Sequence, residues 1–349
     1  MFKELLINQF KKKKSSEIQD YIKFIYQATF GGEHLITDKE KTLSFLKKES
    51  KDMIENVPFY EPLYEVISND YVRVNLRPFL KAGYSLESLN EYFANQKSKN
   101  NFSLLEERLL IFESLVNNED IKLDKTEVAT FLDTYKKDNY PVYHHSNTYR
   151  ENYFPNYRVV PFSFITEEMK EFQIKSFISY IYDPNILTLI SIEGSCASGK
   201  TTIAQKISDN FDVTIIHADD FFLNDTDKQK EIGVGEYIDY RRLSNLLKNL
   251  SLGKTINYQK YDCTKKEHID TTIKVKPIVI VEGVYSYNQY LRQYFDYLIF
   301  VSVNRNLQLE RLEKRSSPFI YKRFIEEWIP REDKYFKTLN ILNNANIVI

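Results

Sequence analysis

The stretch Ile190 to Thr202 reads ISIEGSCASGKTT, an apolar run entering Gly194, four residues, then Gly199, Lys200 and Thr201, with a helical pattern beyond. Glycines at this spacing let a loop curl so that successive N–H groups point inward at a phosphate. The following helix start adds its partial positive charge. A lysine in that position reaches the β- and γ-phosphates, and a threonine hydroxyl beside it can join the oxygen shell of Mg2+. The spacing predicts a nucleoside triphosphate cradle built from Gly194, Ser195, Cys196, Ala197, Ser198, Gly199, Lys200, Thr201 and Thr202. The whole chain holds only 9 glycines against 26 tyrosines and 24 phenylalanines, so glycines that gather do so because the backbone needs them.

Other charged residues decide what such a cradle does. His217-Ala218-Asp219-Asp220 follows a second apolar run and puts adjacent acids at a strand's C-terminal end, where open α/β sheets form their crevices. A carboxylate there can accept the proton of an attacking hydroxyl, although aspartates also cap turns at such places. Glu282, before Gly283, ends a third run and is placed to hold a metal or its water shell. Arg311 and Arg315 lie four apart on a predicted helix, followed by Lys322, Arg323 and Arg331, cations able to close over a transferring phosphoryl group.

These residues need a framework, and the pattern after Thr166 supplies one. Thr166-Glu167-Glu168 reads as an N-cap and first turn of a helix ending before Asp183-Pro184. Short apolar runs follow at Leu187 to Glu193, Val213 to His217, Pro277 to Val281, Leu298 to Val303 and Ala345 to Ile349. Runs of this kind, separated by helical intervals, predict an α/β fold, a doubly wound parallel sheet. The first half is mostly helical in pattern, with Leu104, Leu105, Leu109, Phe112, Leu115 and Val116 as a core stripe. The expected organisation is a helical domain over 1–137, an irregular connector over 138–165 rich in Pro, Asn and Tyr, and the P-loop domain over 166–349.

A length of 349 residues suits two domains, and a net charge of −1 argues against a nucleic-acid or anionic-membrane partner. No apolar stretch approaches the roughly 20 residues of a membrane span, and two cysteines, Cys196 and Cys263, make no disulfide framework. A cytoplasmic protein is expected. In the first half, Gly31, Gly32, Glu33 and His34, and the tract His144-His145-Ser146 with Tyr149, Arg150, Tyr157 and Arg158, are the pointed features. The histidine pair lacks a third ligand at helical spacing and is expected to be a surface pair. A functional role for the tract would take the form of packing beside the phosphate cleft to select substrate or exclude water.

The P-loop, ADDFF, GEYIDYRRL, YDC, IVIVEGVYS and Leu309 to Arg315 together resemble, in order, the uridine kinase and phosphoribulokinase group of P-loop kinases over about Ile186 to Ile349. The resemblance implies ATP with Mg2+, Asp219 as general base, Glu282 with Thr201 as the metal-side residues, and Arg311 and Arg315 as lid arginines assisting Lys200. It places substrate contacts on Asp219, Tyr237, Asp239, Arg241, Tyr261 and Asp262. Asp220 falls where many members carry a small residue. Two departures touch substrate choice. The histidine a few residues after the Tyr-Asp pair is missing from its usual place, with Lys265, Lys266 and then His268 in that neighbourhood. The lid is altered, with Trp328 and Pro330 in SSPFIYKRFIEEWIPREDKYF.

The implied activity is transfer of γ-phosphate from ATP to a small-molecule hydroxyl, foremost a nucleoside, with another small alcohol such as pantothenate or a sugar phosphate as the alternative acceptor. A nucleotide-gated regulatory module is the alternative of a different class. It would need no substrate base, and no NKxD-like guanine-reading element is present. A homo-oligomer is compatible with these patterns, which do not name the oligomeric state.

Overall fold

The computed structural model describes residues 1–32, 38–94, 101–223, 233–235, 237–252, 255–262, 265 and 267–349. The expectations placed on Glu33, His34, Cys263 and Lys266 lie outside the described residues. The chain divides into two compact units, Met1–Gln173 and Ile174–Ile349.

In the first unit the helices are α1 (Phe2–Lys12), α2 (Ile18–Phe30), α3 (Lys39–Asp52), α4 (Leu76–Lys81), α5 (Leu86–Ala94), α6 (Phe102–Asn117), α7 (Lys125–Lys137) and α8 (Asn147–Tyr153). Tyr21, Ile22, Phe24, Ile25 and Ala28 of α2 share a core with Leu105, Leu109, Phe112, Leu115 and Val116 of α6. Of the expected α6 stripe only Leu104 stays half-buried. The helical reading missed an antiparallel sheet in the order β1 (Tyr64–Val66), β2 (Tyr71–Asn75), β3 (Tyr157–Pro161).

Residues 138–165, expected as an irregular connection, thus contain α8 and β3 and lie within the first unit. The cause is polar pairing that composition does not show. Ser146 caps α8 by accepting from the Tyr149 N–H at 3.0 Å, and β3 pairs with β2 from Tyr157↔Asn75 to Pro161↔Tyr71. Helix α9 (Glu167–Ile181) begins at the expected cap, with Thr166 Oγ1 accepting from the Met169 N–H at 3.2 Å.

The second unit is built on a parallel sheet of β4 (Thr188–Glu193), β5 (Val213–His217), β8 (Ile278–Glu282), β9 (Tyr297–Phe300) and β10 (Ile347–Val348), in the order β10-β9-β4-β8-β5. Every neighbouring pair is parallel. Strand β4 is buried along its whole length, as expected for a strand covered on both faces. From β4 the chain crosses to β5 and β8 on one side, then to β9 and β10 on the other. The loop after β4 therefore emerges where the strand order reverses, the usual place of a crevice in such sheets.

Helix α10 (Lys200–Ser208) packs on β4, β5 and β8. The remaining elements are α11 (Tyr240–Asn249), the antiparallel hairpin β6 (Thr255–Asp262) and β7 (Glu267–Lys274), α12 (Arg305–Arg315), α13 (Pro318–Arg323) and α14 (Ile329–Thr338).

Candidate active site

Strand β4 delivers its last residue, Glu193, straight into the loop. Gly194 has φ +148°, and a Cβ there would sit 2.3 Å from the Val301 carbonyl oxygen, so the tight exit from the strand admits only glycine. Ala197 adopts φ 58°, a costly left-handed conformation for a residue with a side chain. Arg311 of α12 holds that turn by donating from Nη1 to the Ala197 carbonyl at 3.0 Å.

Gly199 precedes α10 without a side-chain cap, which leaves the first N–H groups of that helix to be satisfied from elsewhere. The Ser198 hydroxyl is buried and makes no hydrogen bond among the described residues. Lys200 is buried, with its Nζ donating to the Ser195 carbonyl at 2.9 Å. Uncapped amides, an orphaned hydroxyl and a buried ammonium form a concave donor set that fits phosphate oxygens.

The acids meet this cradle from the neighbouring strands. Glu282, ending β8, accepts from the Thr201 hydroxyl at 3.0 Å and pairs with His217 Nδ1 at 2.6 Å. That hydrogen bond to Glu282 holds the His217 imidazole above its ordinary pKa, against partial burial. The Thr201 hydroxyl and the Glu282 carboxylate are thus adjacent oxygens beside the phosphate cradle, a donor set suited to Mg2+ that keeps waters and phosphate ligands.

Asp219 lies on the 3-10 turn Ala218–Phe221 after β5. Asp219 is exposed, yet the protein packed around it desolvates its carboxyl. That desolvation raises its carboxyl pKa, the Glu282 charge adds to the rise, and Lys200 opposes it. No hydrogen bond to the Asp219 carboxylate occurs among the described residues, whereas Asp220 Oδ2 accepts from the Tyr258 hydroxyl at 2.9 Å. The two adjacent acids are therefore different: Asp220 is tied to the β6 strand, and Asp219 interacts with the charges of Glu282 and Lys200.

The expected substrate segments flank the same turn. The Asp239 N–H donates to the Phe221 carbonyl at 2.7 Å, and the Leu223 N–H to the Tyr237 carbonyl at 3.1 Å. Asp239 also caps α11 through the Arg242 N–H at 3.0 Å, while Arg241 is exposed. At the end of β6, Tyr261 is buried and Asp262 accepts from the Lys265 N–H at 3.0 Å. Arg315 does not reach the cradle as Arg311 does, and its guanidinium lies over the Phe324 ring at 5.7 Å. Arg323 pairs with Glu327 at 3.1 Å, and Arg331 lies over the Tyr237 ring at 5.4 Å.

Residues 189–316 match the model of the Phosphoribulokinase / Uridine kinase family. The matched residues lie within the second unit. Uridine kinases from Staphylococcus aureus strains JH9 and Newman are each 28% identical over 172 residues, covering 43% of this chain and 82% of theirs. A solved structure described as a possible uridine kinase from Bacillus stearothermophilus aligns at 20% identity with a TM-score of 0.42, covering 53% of this chain and 100% of that one. The second unit thus carries the P-loop sequence on a parallel α/β sheet, and the family whose model it matches is one of kinases.

One residue of the second unit escaped the motif reading. Glu193 is fully buried and accepts four hydrogen bonds, from the N–H groups of Gly194 (3.1 Å), Tyr285 (3.2 Å) and Tyr287 (3.1 Å) and from the Tyr335 hydroxyl (2.9 Å). Burial pushes its carboxyl up to about 7, against those four donors and the Lys200 charge. The available signal was an acid closing an otherwise apolar strand. Glu332 of α14, similarly buried, accepts from the Cys196 N–H at 2.9 Å. Burial, together with Glu332, pushes the Cys196 thiol up to about 12, an unreactive state.

Glu193→Gln is expected to destabilise the protein, because either orientation of the amide turns its NH2 toward backbone donors that require an acceptor. An unsatisfied buried donor costs about 1–3 kcal/mol, which for a domain of this size lowers Tm by roughly 5 °C. Thermal unfolding followed by circular dichroism checks this, and an unchanged Tm would remove Glu193 as the anchor of the loop.

Proposed function

We propose that the chain is an ATP- and Mg2+-dependent kinase that transfers the γ-phosphate to a hydroxyl of a small molecule, foremost a nucleoside, in the cytoplasm. The observation that carries this reading is the grouping of Lys200, Thr201 and Glu282 with an Asp219 whose carboxylate accepts no hydrogen bond among the described residues. In this reading the loop from Gly194 to Thr202 binds the triphosphate, and Thr201 and Glu282 hold the metal side. Bound Mg2+ neutralises charge on the phosphates. Asp219 takes the acceptor hydroxyl's proton, since a lone desolvated carboxylate is a better base than an ordinary one. Arg311 braces the loop, and Arg315 is a lid cation that would act on movement of α12 and α13.

Tyr237, Asp239, Arg241, Tyr261 and Asp262 form the acceptor side. The nucleoside reading gains support from the hairpin register, which pairs Tyr261 with His268 and sets their rings 5.4 Å apart. An imidazole thus stands beside the Tyr-Asp pair although the sequence displaces it. A nucleotide-gated module has no use for Asp219 in this position. The test is ADP release by the purified protein with ATP and Mg2+ against a panel of nucleosides, pantothenate and sugar phosphates. Stimulation by a nucleoside supports the proposal, stimulation by another alcohol alone moves the acceptor class, and none across the panel overturns it.

A further inference from the structure

The first unit contains a pocket of about 520 Å³ whose walls include Lys23, Arg77, His145, Arg150, Tyr157 and Arg158. Its floor is rigid. Asp20 is fully buried and accepts from His145 Nδ1 at 2.8 Å, from the Ser146 hydroxyl at 2.7 Å and from the Ser146 N–H at 3.0 Å. Burial pushes the His145 pKa down. The neutral ring therefore donates from Nδ1 to Asp20 and accepts at Nε2 from the Tyr157 hydroxyl, 2.6 Å away. Gln27 Oε1 is occupied by Arg73, whose Nε and Nη2 donate to it at 3.1 and 2.8 Å. The histidine expected at the surface is thus a buried, fully committed member of a pocket wall.

The cations around this floor are not spent in the same way. Arg77 is 6% exposed and pairs with Glu61 through Nε and Nη2, at 2.7 and 2.9 Å. Its Nη1 is buried without a hydrogen-bond partner among the described residues. Lys23 donates to the Tyr143 carbonyl at 3.1 Å, and burial, with the nearby charges of Arg73 and Arg150, pushes its ammonium down to about 8. The Arg150 guanidinium makes no ion pair or hydrogen bond among the described residues, whereas Arg158 is paired with Glu49 at 2.5 Å. The remaining carboxylate of the lining, Asp52, is exposed.

A buried guanidinium nitrogen without an acceptor is costly and uncommon. Lys23 and Arg150, which both line the cavity and are in no ion pair among the described residues, repel one another until an anion arrives. We propose that this pocket is a binding site for a small organic phosphate, separate from the P-loop. A phosphate dianion offers acceptor oxygens to Arg150 and Lys23 together, and guanidinium pairs with phosphate are strong and geometrically selective. A single carboxylate carries half the charge of a phosphate dianion. The volume exceeds that of inorganic phosphate and suits a compact organic ligand, whose body would lie against Tyr157 and Phe154.

The test uses the full chain, with and without Lys200→Ala to weaken the P-loop, in calorimetric titrations with ribose 5-phosphate, adenosine monophosphate, inorganic phosphate, succinate and citrate. At least one organic phosphate is expected to bind once per chain, with the affinity changed little by Lys200→Ala. Arg150→Ala and Lys23→Met should each weaken it at least ~10-fold, as loss of one charge-assisted contact does. Arg150 is exposed and its side chain makes no hydrogen bond among the described residues, so its replacement keeps the fold, which an unchanged Tm confirms. Binding lost with Lys200→Ala and untouched by Arg150→Ala and Lys23→Met would return the phosphate to the P-loop and overturn the proposal. So would failure of both organic phosphates, or inorganic phosphate or the carboxylates binding as tightly as they do.

Discussion

Lys200→Ala is expected to reduce acceptor-dependent ADP release by a factor of roughly 10³ or more, since the lost charge is one that stabilises the transferring phosphoryl group in a dry cradle. The fold should survive. Among the described residues Lys200 Nζ makes one hydrogen bond, to the Ser195 carbonyl, and loss of one such bond costs on the order of 1 kcal/mol. The loop keeps its other anchors, with Glu193 on the Gly194 N–H, Glu332 on the Cys196 N–H and Arg311 on the Ala197 carbonyl. Lys200→Arg should not restore activity, because a planar fork cannot replace a point charge in a slot shaped around a lysine stem. Initial rates and thermal unfolding of both variants check this, and a folded Lys200→Ala protein retaining a tenth of the turnover would remove the site assignment.

Much of the sheet and the phosphate loop could be read from the sequence because both are local. The five apolar runs correspond to β4, β5, β8, β9 and β10, with β5 matching from Val213 to His217 and the others within a few residues. The loop motif combines fixed spacing with a strand before and a helix after. What escaped detection depends on partners distant in sequence, or on strands without an apolar face. The hairpin β6–β7 alternates exposed and half-buried residues and is held by backbone pairing along its full length, so no apolar run announces it. Strand β3 hides in a tract of Tyr, Asn and Pro because its pairing partner, β2, is contributed by residues 71–75.

The site divides in the same way. Glu193 precedes the first glycine of the motif and receives its hydroxyl donor from Tyr335, 142 residues later. His145 looks like a surface histidine until Asp20, 125 residues away, is seen against it. In both cases a single local window holds a polar residue whose burial is decided elsewhere. Buried polar groups demand partners, but the sequence does not say which.

Asp219→Asn is expected to lower turnover by at least ~10², the scale of a lost general base, with ATP affinity nearly unchanged. The substitution keeps shape and removes only the ability to take a proton. Asp220→Asn is the control. Its oxygen already accepts from Tyr258, so that change should loosen the β6 contact and cost far less turnover. The pH dependence gives an independent readout. Burial and the Glu282 charge raise the Asp219 pKa while Lys200 pulls it back, and a base works only when ionised. Turnover of the unmodified protein should therefore rise with pH through a limb displaced above the ordinary carboxylate range near 3.9. The residual activity of Asp219→Asn should lack that limb, because no titrating group remains at the position. If Asp220→Asn instead causes the large loss and erases the limb, the proton is taken one residue later in the turn, and the hydrogen bond from Tyr258 must break for the reaction to proceed.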